Sequence, residues 1–171
     1  ITDIDRWCSI QFMSAEANPL FHATKLYRNG SLVTSINPST NISSYAFYRY
    51  THLKNITMDD SVKTIGDYVF YECTGLSSMT LSTQLTSIGN YAFYNCLNLA
   101  ASVRLSDGML RIGDYAFYGC ARISSIIIPS TVNYLGEYTF CECTSITRVE
   151  MYGSTAIRNK AFYGCTSLYN V

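Results

Sequence analysis

The residues of this 171-residue chain with the greatest chemical reach are its thiols, seven cysteines against two histidines. Five of them, Cys73, Cys96, Cys120, Cys143 and Cys165, recur at intervals of 23, 24, 23 and 22 residues. A zinc site needs closely spaced Cys or His pairs; Cys141-Glu142-Cys143 offers one pair with no second pair at the usual distance. So regular a recurrence puts each thiol at the same place in a stacked unit, its side chain parallel to its neighbours at roughly the 4.7–4.9 Å strand spacing. A disulfide needs Cβ atoms about 3.5–4.5 Å apart on converging vectors. The column therefore reads as a ladder of small buried hydrophobes. Cys8 and Cys141 stand outside it as the candidates for exposure, and an odd total leaves at least one thiol unpaired.

Hydrolytic chemistry would have to use His22 or His52, and no Gly-x-Ser-x-Gly elbow or Cys-His pairing accompanies either. The glycines keep step with the repeat instead of forming a phosphate loop. The sequence thus reads as non-enzymatic, with no metal and no cofactor. Charge is balanced, 12 basic against 12 acidic residues, which speaks against a nucleic-acid footprint. No apolar run approaches the roughly 20 residues of a membrane span, and the start at Ile1, with no basic and apolar leader, suggests a mature or trimmed chain.

The elements that position these residues follow from the interval. Aligned on Ile-Gly-Asp-Tyr-Ala-Phe-Tyr-x-Cys, the units start at Ile42, Ile65, Ile88, Ile112, Leu135 and Ile157. A period of about 20–29 residues is that of a leucine-rich solenoid. The expected fold is an α/β solenoid, a right-handed superhelix with a parallel β-sheet on one face and short helices or turns on the other. Inward columns are Phe47, Phe70, Phe93, Phe117, Phe140 and Phe162, the five thiols, and alternating apolar strand residues such as Met79 and Leu81 or Ile126 and Ile128. The third unit carries one extra residue between Leu99 and the strand pair Val103 and Leu105, which reads as a loop bulge outside the core. The segment from Ile to Cys predicts a helix of one to two turns, capped by Asp67, Asn90 or Asp114. Gly66, Gly89, Gly113 and Gly136 before the cap suit a sharp turn or a close neighbour.

Residues 1–35 read as an N-terminal cap in which Ile4, Trp7, Ile10 and Phe12 cover Phe47 and Leu53, with a hairpin signal at Asn29-Gly30. Residues 36–171 form the solenoid. Val171 aligns with Ile126, so the sixth coil stops in mid-strand. Either the chain continues, or end-to-end self-association covers this uncapped C-terminal coil.

The motif Ile-Gly-Asp-Tyr-Ala-Phe-Tyr-Gly-Cys-x-x-Ile-x-x-Ile-x-Ile-Pro at Ile112 to Pro129 resembles the BspA-like leucine-rich repeats of bacterial surface proteins. Asn18-Pro19-Leu20 and Leu26 to Val33 are similar to the lead-in segment of gut-bacterial members. The resemblance implies a secreted or cell-surface bacterial protein and adhesion to a host extracellular-matrix protein or a cell-surface glycoprotein or glycan. The alternative is a structural spacer that displays another domain.

Two surfaces compete for that role. Tyr45, Tyr68, Tyr91, Tyr115 and Tyr138 form one aromatic column and Tyr48, Tyr71, Tyr94, Tyr118 and Tyr163 another. Repetition alone would stack these rings into a shield, whereas a glycan strip would need their faces free. Binding residues are better sought where columns vary. On a concave sheet face those are Thr57, Thr80, Arg104, Ile127 and Glu150, flanked by Arg148 and Tyr152.

Overall fold

The computed structural model describes residues 1–169; the expected mid-strand stop at Val171 lies outside them. The chain begins with helix α1 (Ile4–Cys8), whose first amides are capped by the Asp3 carboxylate, and the single turn α2 (Leu20–Ala23). Strands β1 (Tyr27–Arg28) and β2 (Ser31–Leu32) form an antiparallel hairpin. Its turn holds Asn29 and Gly30 at φ of 50° and 80°, the left-handed pair that a two-residue hairpin requires.

From Ser35 onward the chain coils. One side carries β3 (Ser35–Ile36), β4 (Asn55–Thr57) and β6 (Ser78–Thr80) as one parallel sheet. On the same side β8 (Ser102–Arg104), β10 (Ser125–Ile128) and β12 (Arg148–Met151) form a second. Another flank carries a five-stranded parallel sheet of two-residue strands: β5 (Thr64–Ile65), β7 (Ser87–Ile88), β9 (Arg111–Ile112), β11 (Tyr134–Leu135) and β13 (Ala156–Ile157). This five-stranded sheet is additional to the one expected from the sequence. Its signal is the apolar residue before each column glycine, which pairs coil to coil from the Ile42–Ile65 bridge to Leu135–Ile157.

The third side is made of turns, and the expected helix of one to two turns is corrected. Tyr68 and Glu72 sit at φ of 56° and 51°, and equivalent residues in other coils do the same. A left-handed residue every fourth position is incompatible with an α-helix. Alternate amides point along the stack instead: Tyr68 donates to the Asn90 carbonyl at 2.9 Å, Phe70 to Ala92 at 2.7 Å and Glu72 to Tyr94 at 2.8 Å. Backbone groups that a helix would satisfy internally are satisfied here by the next coil.

The expected cap residues follow the same logic. The amide of Asn90 donates to Asp67 Oδ1 at 2.7 Å, that of Asp114 to Asn90 Oδ1 at 2.9 Å, and that of Glu137 to Asp114 Oδ1 at 2.9 Å. These oxygens tie one coil to the next instead of capping their own. The coils approach so closely there that a Cβ on Gly89 would lie 2.5 Å from the Gly66 carbonyl carbon and 2.6 Å from the Asp67 nitrogen. Of the two roles foreseen for the column glycines, the close neighbour is the operative one.

The core is a stack of identical layers. Phe47, Phe70, Phe93, Phe117 and Phe140 are fully buried, their ring centroids 5.0 to 5.6 Å apart. At the N-terminal end Ile4, Trp7 and Phe12 are buried, but Ile10 is 42% exposed and does not join the cover. The Trp7 indole donates to the Ala46 carbonyl at 2.8 Å, and the Asn18 amide donates to Tyr45 and Ala46 carbonyls. Tyr50 takes the thiol column in the first coil and reaches past it, its hydroxyl donating to Val33 at 2.7 Å.

Candidate binding face

The variable positions expected to bind lie together on the face of the two three-stranded sheets. Register pairs Thr57 with Thr80, and aligns Arg104 with Ile127 and Ile127 with Glu150. Arg148 begins β12 and Tyr152 follows it. Glu150 is held from both sides: Arg148 approaches to 3.1 Å and the Tyr152 hydroxyl donates at 2.6 Å. The hydrogen bond to that carboxylate, with its charge, raises the Tyr152 phenol above its ordinary pKa. Ile127 is half-buried, while Arg104 is exposed and makes no ion pair among the described residues.

The two sheets do not join, and one residue is the reason. Ala100 donates its amide to Ser77 at 3.3 Å, whereas Ala101 accepts the amide of Ser124 at 3.1 Å. Two residues of the third coil thus occupy a position that one residue fills elsewhere, as in the bond from Ser77 to Lys54. This is a β-bulge. Pairing straight on from Ala100 would slip the strand by one residue and turn Val103 and Leu105 outward. Both stay buried, and the ladder between β6 and β8 is given up.

The extra residue therefore does more than form a loop outside the core. It opens a cleft of about 650 Å³ bordered by Met79, Leu81, Thr83, Arg104, Leu105 and Asp107. Met79 and Leu81, expected inward, are half-exposed along it, whereas their counterparts Val103 and Leu105 are 2% and 1% exposed.

The tyrosine columns are spent on one another. In the first, neighbouring rings lie 4.7 to 5.1 Å apart and within 8° of parallel. In the second, Tyr48, Tyr71, Tyr94 and Tyr118 lie 4.8 to 4.9 Å apart. Ring faces within each stack are covered by their neighbours, which removes the surface a sugar would need. Cys141 interrupts the second column.

The thiols are placed for packing. Cys73, Cys96, Cys120, Cys143 and Cys165 each donate to a carbonyl in the preceding coil, those of Phe47, Phe70, Phe93, Phe117 and Phe140, at 3.0 to 3.2 Å. Phe162 stacks on Phe140 at 5.4 Å and closes the phenylalanine ladder. The expected exposure of Cys8 and Cys141 is corrected: they are 0% and 3% exposed. Burial, helped by Asp5 and Asp3, pushes the Cys8 thiol up to about 12. Burial also raises Cys141, with Glu142 adding to it. Thiols so protonated are poor nucleophiles. His22 and His52 lie edge-on against Phe21 and Tyr50. No group of three His, Cys, Asp or Glu side chains among the described residues is placed to hold a metal, and no described helix is long and apolar enough to cross a membrane.

Comparison with known proteins agrees with this architecture. A family described as "BspA type Leucine rich repeat region" matches in six copies over residues 40–170. The crystal structure of a T. pallidum leucine-rich repeat protein is similar over 83% of this chain and 64% of its own, with 25% identity and a TM-score of 0.66. A leucine-rich repeat protein from Eubacterium ventriosum shares the fold at 20% identity and a TM-score of 0.53, over 83% of this chain and 45% of its own. The chain thus spans less than two thirds of either structure. The comparison with curated proteins gives no match.

Proposed function

The chain belongs to the BspA-type leucine-rich repeat family, and from that premise we propose that it is a non-catalytic binding module of a secreted or surface-attached bacterial protein. The role proposed is adhesion, with a host extracellular-matrix protein or a cell-surface glycoprotein or glycan as the partner.

One observation carries this reading. Two flanks of the coil are occupied by repetitive ladders, stacked tyrosines on one and two-residue strands on the other. The face of the longer strands changes from coil to coil at accessible positions, through exposed Thr57, Thr80 and Arg104 and half-buried Ile127 and Glu150. Solenoids commonly offer such an extended face to partners. Binding of the folded chain to a panel of immobilised matrix proteins and glycans tests it. Saturable binding weakened by Arg104→Glu or Glu150→Lys, at unchanged stability, supports the reading. A panel that stays silent at high micromolar protein contradicts it.

The ladders favour a second reading, a stiff spacer displaying another domain, because coils bonded on every side resist bending. A spacer would show the silent panel just described, and its adhesion in the parent protein would survive replacement of these coils by an unrelated rod of equal length.

A further inference from the structure

In a continuous parallel ladder an interior strand has both edges paired, as β4 has with β3 and β6, and β10 with β8 and β12. β6 and β8 each have one edge without a strand partner, and those two edges face the cleft opened at Ala100 and Ala101. Unpaired backbone amides and carbonyls seek partners, and the group that repeats both at strand spacing is another backbone. A sugar offers hydroxyls without that repeat.

We propose that this split binds an extended peptide of a partner protein, which adds a strand to the open β6 edge and lays an apolar side chain on Met79 and Leu81. The inference rests on the reading of the chain as a binding module, and gives that module a ligand class and a place.

Four further observations fit one occupant. The floor is apolar at two positions whose counterparts in the next coil, Val103 and Leu105, are buried. The rim carries Arg104, a cation without an ion partner among the described residues, which favours a carboxylate on the incoming peptide. The two coils are tied to each other on either side of the open edges, by the Ala100 amide on the Ser77 carbonyl and by the Ser106 hydroxyl on the Leu85 carbonyl. Between these ties β6 runs for three residues, so a short stretch of peptide is gripped by backbone pairing while flanking residues rest on the strand face. The volume lies within the roughly 300–1,000 Å³ of ligand pockets.

Deletion of Ala101 supplies the test, because it restores the 23-residue interval and lets β6 and β8 pair. A randomised heptapeptide library displayed on phage is selected on the folded chain, and the most enriched sequence is synthesised as a blocked peptide. The expected result is an alternating apolar consensus whose affinity falls at least tenfold on deletion of Ala101, and equally when alternate peptide nitrogens are methylated. Leu81→Lys is measured beside it, with the same tenfold loss expected, and decides the matter if the deletion variant does not fold. Failure of any sequence to enrich, or affinity unchanged by Leu81→Lys or by N-methylation, overturns the proposal. Binding of matrix components that persists after deletion of Ala101, with no peptide enriched, overturns this inference while leaving the broader reading intact.

Discussion

The backbone amide of Asn90 donates to the carboxylate of Asp67, 23 residues earlier, at 2.7 Å. That single bond states how the molecule is built: a side chain that sequence logic assigns to a local cap is used to join one coil to the next. It also fixes how close the coils come, and so where substitutions are costly.

Gly113 stands in the same close approach, a Cβ there falling 2.6 Å from both the Asn90 nitrogen and the Gly89 carbonyl carbon. Both obstacles are backbone and cannot swing away. Gly113→Ala is expected to cost about 2 kcal/mol or more in urea unfolding. Gly108→Ala, whose Cβ would meet nothing within 4 Å, should change stability by less than about 0.5 kcal/mol.

The buried acids predict an alkaline limit. Burial raises the thiols of Cys73, Cys96 and Cys143 well above the usual range, that of Cys165 to about 11, and the phenol of Tyr71 to about 12. A raised folded pKa means the native state keeps its protons longer than the unfolded chain, so stability is whole below the unfolded values and falls as pH rises past them. The urea midpoint should be flat from about pH 6 to 8 and drop steadily above about pH 9. Ellman's reagent at pH 8 should find no fast-reacting thiol in the native protein, the half-buried Cys165 being the first to react.

Trp7, the one tryptophan, reports on the N-terminal cover. Trp7→Phe keeps apolar mass but removes the donor to Ala46, and should cost about 1 kcal/mol. Trp7→Ala also empties a buried site and should cost about 3–5 kcal/mol. Denaturation followed by fluorescence in the wild type and by circular dichroism in the variants measures both.

The Phe and Cys columns were legible because a strict period can be satisfied in only one way, by stacking. The turn side was misread because Asp67-Tyr68-Val69-Phe70 carries a good helix start, and nothing local reveals that Tyr68 adopts a positive φ to free alternate amides for the next coil. The two-residue strands fell below the length at which alternation is visible. The varied positions Thr57, Thr80, Arg104, Ile127 and Glu150 could be named from columns alone. The cleft could not: the extra residue was plain in the spacing, but its effect depends on Val103 and Leu105 remaining buried, a choice made by packing across the coil.

The central claim is that obedience to the repeat marks scaffold and departure from it marks function. It is tested most directly by measuring, side by side, urea midpoint and binding to the strongest partner in the matrix and glycan panel for Tyr94→Ser and Ile127→Lys. Tyr94 is stacked on both sides, at 4.8 Å from Tyr71 and 4.9 Å from Tyr118, and its loss should cost about 1–3 kcal/mol while leaving native-state binding unchanged. Ile127→Lys should lower binding at least tenfold with little change in the midpoint. Binding lost with Tyr94 and retained with Lys at position 127 would contradict the account.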